Sequence, residues 1–293
     1  MFKSYLKAIR PKTLPASIGP VLIGLSVSYY TQEFLNIIDS ILTVVCALTL
    51  QIISNLVNDY FDFKKGTDKN RVHGFDRVMQ SGLIKEKTMR SIILWHCIFA
   101  LSIGSILMLK HGIVIVLIGL ISLLMAFFYT AGPSLSYFAM GELLAFIFFG
   151  PIPVFGTYYI QTQRLDYNVL LFGIAPGLIS SAIMGINNLR DIVSDRSSSK
   201  MTIAILIGKN NMKILILFLI FLTFCFPLLY VKEFHNLILL TSLSTIFFFK
   251  TWKSIYLQPE GSKLNLDLAN TGKYMFIYSF MFSSILMAIK CLK

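Results

Sequence analysis

Five of the chain's 14 acidic residues fall in two short stretches, each with an asparagine four positions ahead of its first aspartate. The first stretch holds Asn55, Asp59, Asp62 and Asp68, and the second holds Asn187, Asp191 and Asp195. Asn55, Asp59 and Asp62 stand at i, i+4 and i+7; Asn187, Asp191 and Asp195 stand at i, i+4 and i+8. A helix continuing through either stretch puts its set on one face. Each face then offers a carbonyl oxygen and two carboxylates. Two such faces brought together repel unless a counter-ion lies between them. Mg²⁺ takes hard oxygen ligands, keeps waters and bridges one or two carboxylates to substrate phosphates. Lys64, Lys65, Arg77, Arg190, Arg196 and Lys200 surround the acids and can hold the remaining phosphate charge. For either pair alone the plainer reading is a set of solvated loop charges, since exposed ion pairs are common and weak. Two pairs with the same opening favour a metal–diphosphate site.

The elements that must position these residues are membrane helices. The chain is 56% hydrophobic and only 14% charged, against about 25% charged for a soluble domain. Apolar runs of roughly twenty residues recur, the length a helix needs to cross ~30 Å of hydrocarbon. Lipid forces such runs to satisfy their own backbone, so they are helices. The alternating pattern of a membrane barrel is absent. We read nine spans: Thr13 to Tyr30, Ile38 to Val57, Met89 to Leu109, Ile113 to Ala131, Tyr137 to Ile160, Tyr167 to Leu189, Met212 to Val231, Asn236 to Phe249 and Tyr274 to Ile289. The fold expected is all-α, a single polytopic membrane domain over residues 1–293.

With the N-terminus in the cytosol, 21 of the 26 Lys and Arg fall inside and five outside, the bias that sets membrane orientation. The C-terminus is then external, and both acidic stretches lie at the cytosolic mouths of spans two and six. Those mouths are C-terminal helix ends, whose negative dipole favours cations. The +12 net charge is therefore topology, and no nucleic-acid partner is expected. No cleavable signal is expected either, because Arg10-Pro11-Lys12 precedes the first span. The four cysteines (Cys46, Cys97, Cys225, Cys291) and four histidines (His73, His96, His111, His235) have neither zinc-site nor redox spacing.

At these residues the sequence resembles the UbiA superfamily of intramembrane prenyltransferases, and within it the branch that prenylates 1,4-dihydroxy-2-naphthoate in menaquinone synthesis. Four stretches carry the resemblance: Arg10 to Pro15; Asn58-Asp59-Tyr60-Phe61-Asp62 with Gly66 and Asp68; Tyr129 to Pro133 followed by Gly141-Glu142 and Phe148 to Pro151; and Asn187 to Asp191 through Asp195-Arg196 to Lys200-Met201-Thr202. Ser199 and Ala139 depart from the pattern, each standing where the family commonly has glycine. The resemblance implies nine helices around a central cavity capped by the two aspartate-bearing loops. It also implies two Mg²⁺ ions held by Asn55, Asp59, Asp62, Asp191 and Asp195, with Asn187 and Asp68 as further ligand candidates. The implied diphosphate contacts are Arg77, Lys200 and Lys64. Ionisation of the allylic C–O bond, attack by an electron-rich ring carbon and loss of CO₂ would give a demethylmenaquinol. Aromatic rings can shield the allylic cation, and prenyl length depends on the depth and lateral opening of the cavity.

Three residues carry two readings each. Arg10 and Lys12 either recognise the acceptor carboxylate or are ordinary positive-inside residues. Glu142, the one acid within a span, is either functional, because its burial is expensive, or snorkels to the interface. Competing functions are prenylation of another acid such as 4-hydroxybenzoate, a transporter or Mg²⁺ channel using the broken helices at Pro15, Pro20, Pro151, Pro153 and Pro176, and a non-catalytic scaffold.

Overall fold

A computed structural model describes residues 2–66, 77–132, 134–257 and 261–292. The chain is all-helical. Six stretches are long and apolar enough to cross a membrane: Ile37–Lys65, Glu86–His111, Gly141–Thr162, Val169–Arg190, Ile203–Tyr230 and Leu264–Cys291. Ile113–Phe128 and Asn236–Phe247 are shorter apolar helices. The chain is thus a multi-pass membrane protein. We label α1 (Phe2–Ile9), α2 (Pro15–Gln32), α3 (Ile37–Lys65), α4 (Glu86–His111), α5 (Ile113–Phe128), α6 (Gly141–Phe148), α7 (Pro151–Thr162), α8 (Val169–Phe172), α9 (Ile174–Arg190), α10 (Ile192–Ser197), α11 (Ile203–Cys225), α12 (Leu243–Phe247), α13 (Phe249–Leu257) and α14 (Leu264–Cys291).

Burial explains the composition of each helix. Helix α2 is enclosed by α14, α7 and α3, and two of its buried serines are bonded within the helix (Ser26 Oγ to Ile23 O, 2.9 Å; Ser28 Oγ to Gly24 O, 2.7 Å). Helices α4 and α5 turn large side chains such as Trp95, Phe99 and Leu117 outward, the face lipid requires. Fused spans in the sequence reading break where the backbone must bend: the fifth divides into α6 and α7 at Gly150. A Cβ on Gly150 would lie 2.4 Å from Gly173 O, so only glycine lets these two backbones meet. The opposite end of the bundle is braced by Asp39, which is buried, accepts from Lys110 Nζ (2.7 Å) and lies 3.3 Å from His111 Nε2.

Candidate active site

Helix α3 continues unbroken through Lys65 and is stopped by Gly66, whose left-handed φ of 71° turns its N–H back onto Asp62 O and Phe63 O. Asn55, Asp59 and Asp62 therefore do lie on one helix. Its cavity-facing stripe runs Thr43, Cys46, Ala47, Leu50, Gln51, Ser54, Asn55, Asn58 and Asp62, a helical period of three and four. The cavity behind this stripe holds about 340 Å³. The second stretch is built differently. Helix α9 ends at Arg190 and α10 starts at Ile192, yet the i-to-i−4 bonds bridge the joint (Asp191 N to Asn187 O, 3.1 Å; Asp195 N to Asp191 O, 2.8 Å). Asn187, Asp191 and Asp195 all reach the same cavity as Asn55 and Asp62.

Lys200 joins the two halves. Its ammonium lies 3.5 Å from Asp195 Oδ1 and within electrostatic range of Asp62 and Asp191. Burial alone would lower its pKa; Asp195, Asp62 and Asp191 outweigh that and hold it above the ordinary lysine range. The lysine is held by backbone on both sides. Its N–H donates to Asp195 O (3.0 Å), and its neighbour Met201 forms an isolated parallel bridge with Phe138, with Ala139 N–H donating to Met201 O (2.9 Å). The two residues that depart from the family's glycines flank this bridge, and both are left-handed: Ala139 at φ 55° and Ser199 at φ 56°. Strain there is relieved by glycine. Ser199→Gly and Ala139→Gly are each expected to stabilise the protein by roughly 0.5–1 kcal/mol, read as a higher thermal midpoint in detergent; a fall in both variants would contradict the strain.

Other expected residues are placed as follows. Arg10 and Lys12 line the cavity, on a corner where Arg10 itself is left-handed (φ 51°). That corner is tied to α3 by Asn55 Nδ2, which donates to Ile9 O and to Thr13 Oγ1 at 3.0 Å each. The carbonyl oxygen is what Asn55 has left to offer a cation. Arg77 lines the cavity and bonds Asp62 (Nη2 to Oδ2, 3.0 Å). Asp68 lies outside the described residues.

Three of the expected residues stand outside the cavity lining. Lys64 does not face the cavity: it points to the far side of α3, 3.4 Å from Glu86 Oε1 and over the Tyr60 ring. Asp59 is buried beside the cavity wall rather than in it, accepting from Val78 N–H (3.3 Å) and interacting with Arg10. Glu142 does not snorkel: it is buried, accepts from Asn188 Nδ2 (2.9 Å), and is not among the cavity-lining residues although its neighbour Gly141 is.

Three residues take roles here that their positions in the sequence do not assign. Asn58 lines the cavity one turn from Asp62. Lys65 reaches across to Thr130 O (2.6 Å) and Ser134 Oγ, pinning the 129–140 loop to α3. Arg190 is 2% exposed and clamps the second stretch: to Asp191 (2.6 and 2.9 Å), to Asn187 Oδ1 (2.7 Å) and to Asn265 Oδ1 at the start of α14 (3.0 Å).

The donor set fits a divalent cation that shares its shell with phosphate. Among the described residues, no three His, Cys, Asp or Glu side chains converge enough to cage an ion by themselves. The oxygens come instead in ones and twos from opposing helices, with Arg77 and Lys200 among them, which is how Mg²⁺-type ions bind beside phosphates. Among the described residues, Asp59 Oδ1 is buried with no hydrogen-bond partner, an acceptor that an ion would satisfy.

An apolar cavity within a helical bundle, with opposed aspartates and cations at one mouth, suits a membrane enzyme that acts on a lipid-borne phosphate. The comparisons agree. The UbiA prenyltransferase family matches residues 17–280, and the chain belongs to that family. It is similar to the 1,4-dihydroxy-2-naphthoate octaprenyltransferases of Escherichia coli (33% identical, 71% of this chain and 70% of the relative) and Mycobacterium tuberculosis (32%, 73% and 73%). Its fold is similar to that of a UbiA homolog from Archaeoglobus fulgidus solved with GPP and Mg²⁺ (TM-score 0.69, 15% identity, 98% of this chain and 99% of that one).

Proposed function

We propose that this prenyltransferase moves a polyprenyl group from its allylic diphosphate to 1,4-dihydroxy-2-naphthoate, releasing diphosphate and CO₂. The observation that carries the reading is one cavity lined by Asp62 of the first motif and by Asp191, Asp195 and Lys200 of the second, because a group placed there meets carboxylates of both. Asn55, Asp62, Asn187, Asp191 and Asp195 would hold Mg²⁺, with Asp59 behind them. When bound, Mg²⁺ supplies the positive charge that stabilises the departing diphosphate. Arg77 and Lys200 hold the phosphate oxygens as the allylic C–O bond breaks and its electron pair leaves with the diphosphate. The apolar wall beyond Leu50 keeps water from the cation. The ring carbon bearing the carboxylate then attacks, and loss of CO₂ returns its electron pair to the ring. Arg10 and Lys12, at the same mouth, are suited to the acceptor's carboxylate.

The two relatives named above are naphthoate enzymes, which favours that acceptor over 4-hydroxybenzoate. Transport is disfavoured by geometry: the acids gather at one mouth, and Asp39, Lys110 and His111 tie the helices together at the other. We read the six long helices together with α2, α5 and Asn236–Phe247 as nine crossings of one domain, N-terminus and aspartates in the cytosol and C-terminus outside, on the 21-to-5 charge bias. The test is purified protein offered both acids and a ladder of prenyl diphosphates, with Mg²⁺ present or chelated. Prenylated naphthoate formed only with Mg²⁺ is expected. Product from hydroxybenzoate alone would overturn the acceptor, and ion flux without covalent product would overturn the class.

A further inference from the structure

We propose that the cavity's far end measures the prenyl tail, with Met108 as an adjustable floor and Gly156 as the layer the chain must pass; this rests on the prenyl-transfer reading above. The stripe on α3 changes character along its length. From Asp62 to Gln51 it is mostly polar, and from Leu50 through Ala47 and Cys46 it is apolar until Thr43. Asp62 to Thr43 is 19 residues of one helix, about 28 Å, close to the ~30 Å thickness of the hydrocarbon layer. A diphosphate held at the mouth therefore points its attached hydrocarbon past the polar upper part of this wall toward the apolar part below Gln51.

Three helices contribute glycine to the wall of this shaft, Gly104 from α4, Gly119 from α5 and Gly156 from α7, and Met108 lines it beside them. The tip of Met108 fills the space those glycines leave. A Cβ on Gly119 would lie 2.5 Å from Met108 Cε, and one on Gly104 would lie 3.8 Å from it. The thioether is unbranched and rotates easily, so this constriction yields as a packed aliphatic wall does not. Below it the shaft ends on Leu107, Ile115 and Ile160, buried against one another, and then on the Asp39 brace. A tail of modest length stops at Met108. A longer one must push Met108 aside and reach the Leu107–Ile115–Ile160 floor. At Gly156 an added Cβ meets only Ile118, at 3.6 Å, so a larger side chain there fits the backbone and fills the shaft instead.

The experiment compares kcat/KM across a ladder from geranyl to octaprenyl diphosphate, in lipid nanodiscs with naphthoate and Mg²⁺, for the wild type, Met108→Ala and Gly156→Leu. Met108→Ala is expected to raise the long-to-short ratio at least about tenfold, and Gly156→Leu to lower it by a similar factor, the range one pocket layer commands. Gly156→Ala, whose methyl makes ordinary contact, shifts the same way by less and stands in if the leucine variant does not fold. Opposite shifts from the two positions would not come from misfolding, which lowers all donors together. Variants that turn over with the wild-type length profile overturn the ruler while leaving prenyl transfer intact. A wild type that uses no prenyl diphosphate overturns the transfer reading, and the ruler with it.

Discussion

Asp191→Ala is expected to lose prenyl transfer and thermal stability together, whereas Asp191→Asn loses transfer with most of the stability retained. The reason is Arg190. Its guanidinium is 2% exposed, and Asp191 gives it the two bonds at 2.6 and 2.9 Å. Removing one partner of a buried pair leaves an uncompensated charge and costs about 3–5 kcal/mol, enough to lower the midpoint by roughly 10 °C in a chain of this size. Asparagine keeps one carbonyl oxygen for Arg190, so the packing survives. The charge that holds a metal does not, and deleting one preorganised electrostatic group costs about 10²–10³ in kcat. Differential scanning in detergent and a prenyl-transfer assay on the same preparations decide the matter. Asp191→Ala as stable as wild type would refute the clamp, and Asp191→Asn with normal turnover would refute the metal role. Lys64→Ala serves as the comparison, with both readouts near wild type, because Lys64 is half-exposed on the far side of α3.

Lys64 also shows how far the sequence could be read. The expectation that it touches phosphate came from nearness to Asp62 in sequence. Two residues along a helix is about 200° around it, so the misplacement was already legible in the spacing. The same arithmetic makes Asn58 a member of the Asp62 face, four residues apart, which attention to acids alone passed over. The α3 stripe was readable because a helix between a cavity and its neighbours keeps a strict period. Asp59 shares that period with Asn55 yet faces the 77–79 loop; its partner Val78 N–H is a tertiary contact that no spacing encodes. Arg190 was legible only as a cation near acids. Its value lies in Asn265, 75 residues away, and long-range pairing of that kind is invisible in one sequence. The departures at Ser199 and Ala139 were visible as unusual residues, but their cost depends on a left-handed backbone that only the bridge between Phe138 and Met201 explains.

Lys200→Met is expected to move two quantities in opposite directions. The KM for prenyl diphosphate rises about 10–100-fold, the loss of a charge-assisted hydrogen bond of about 1.5–3 kcal/mol. The Mg²⁺ concentration giving half-maximal rate falls, because Asp195, Asp62 and Asp191 lose the cation that now offsets their mutual repulsion. A lysine with a purely structural role would move neither quantity in this pattern, since general loosening weakens substrate and metal alike. Lys200→Arg keeps the charge and restores the metal dependence while recovering KM only in part, as its planar fork cannot occupy the same point. The pH dependence follows from the direction of the shift. Held above its ordinary 10.5, the ammonium is fully charged at all lower pH and is lost only as pH climbs through the raised value. In the Mg²⁺-free protein, any alkaline loss of prenyl diphosphate binding below about pH 10 therefore belongs to another group, and Lys200→Arg should reproduce it. If Lys200→Met binds prenyl diphosphate as tightly as the wild type, the shared ammonium is not a phosphate contact and the convergence of the two motifs must be explained by the metal alone.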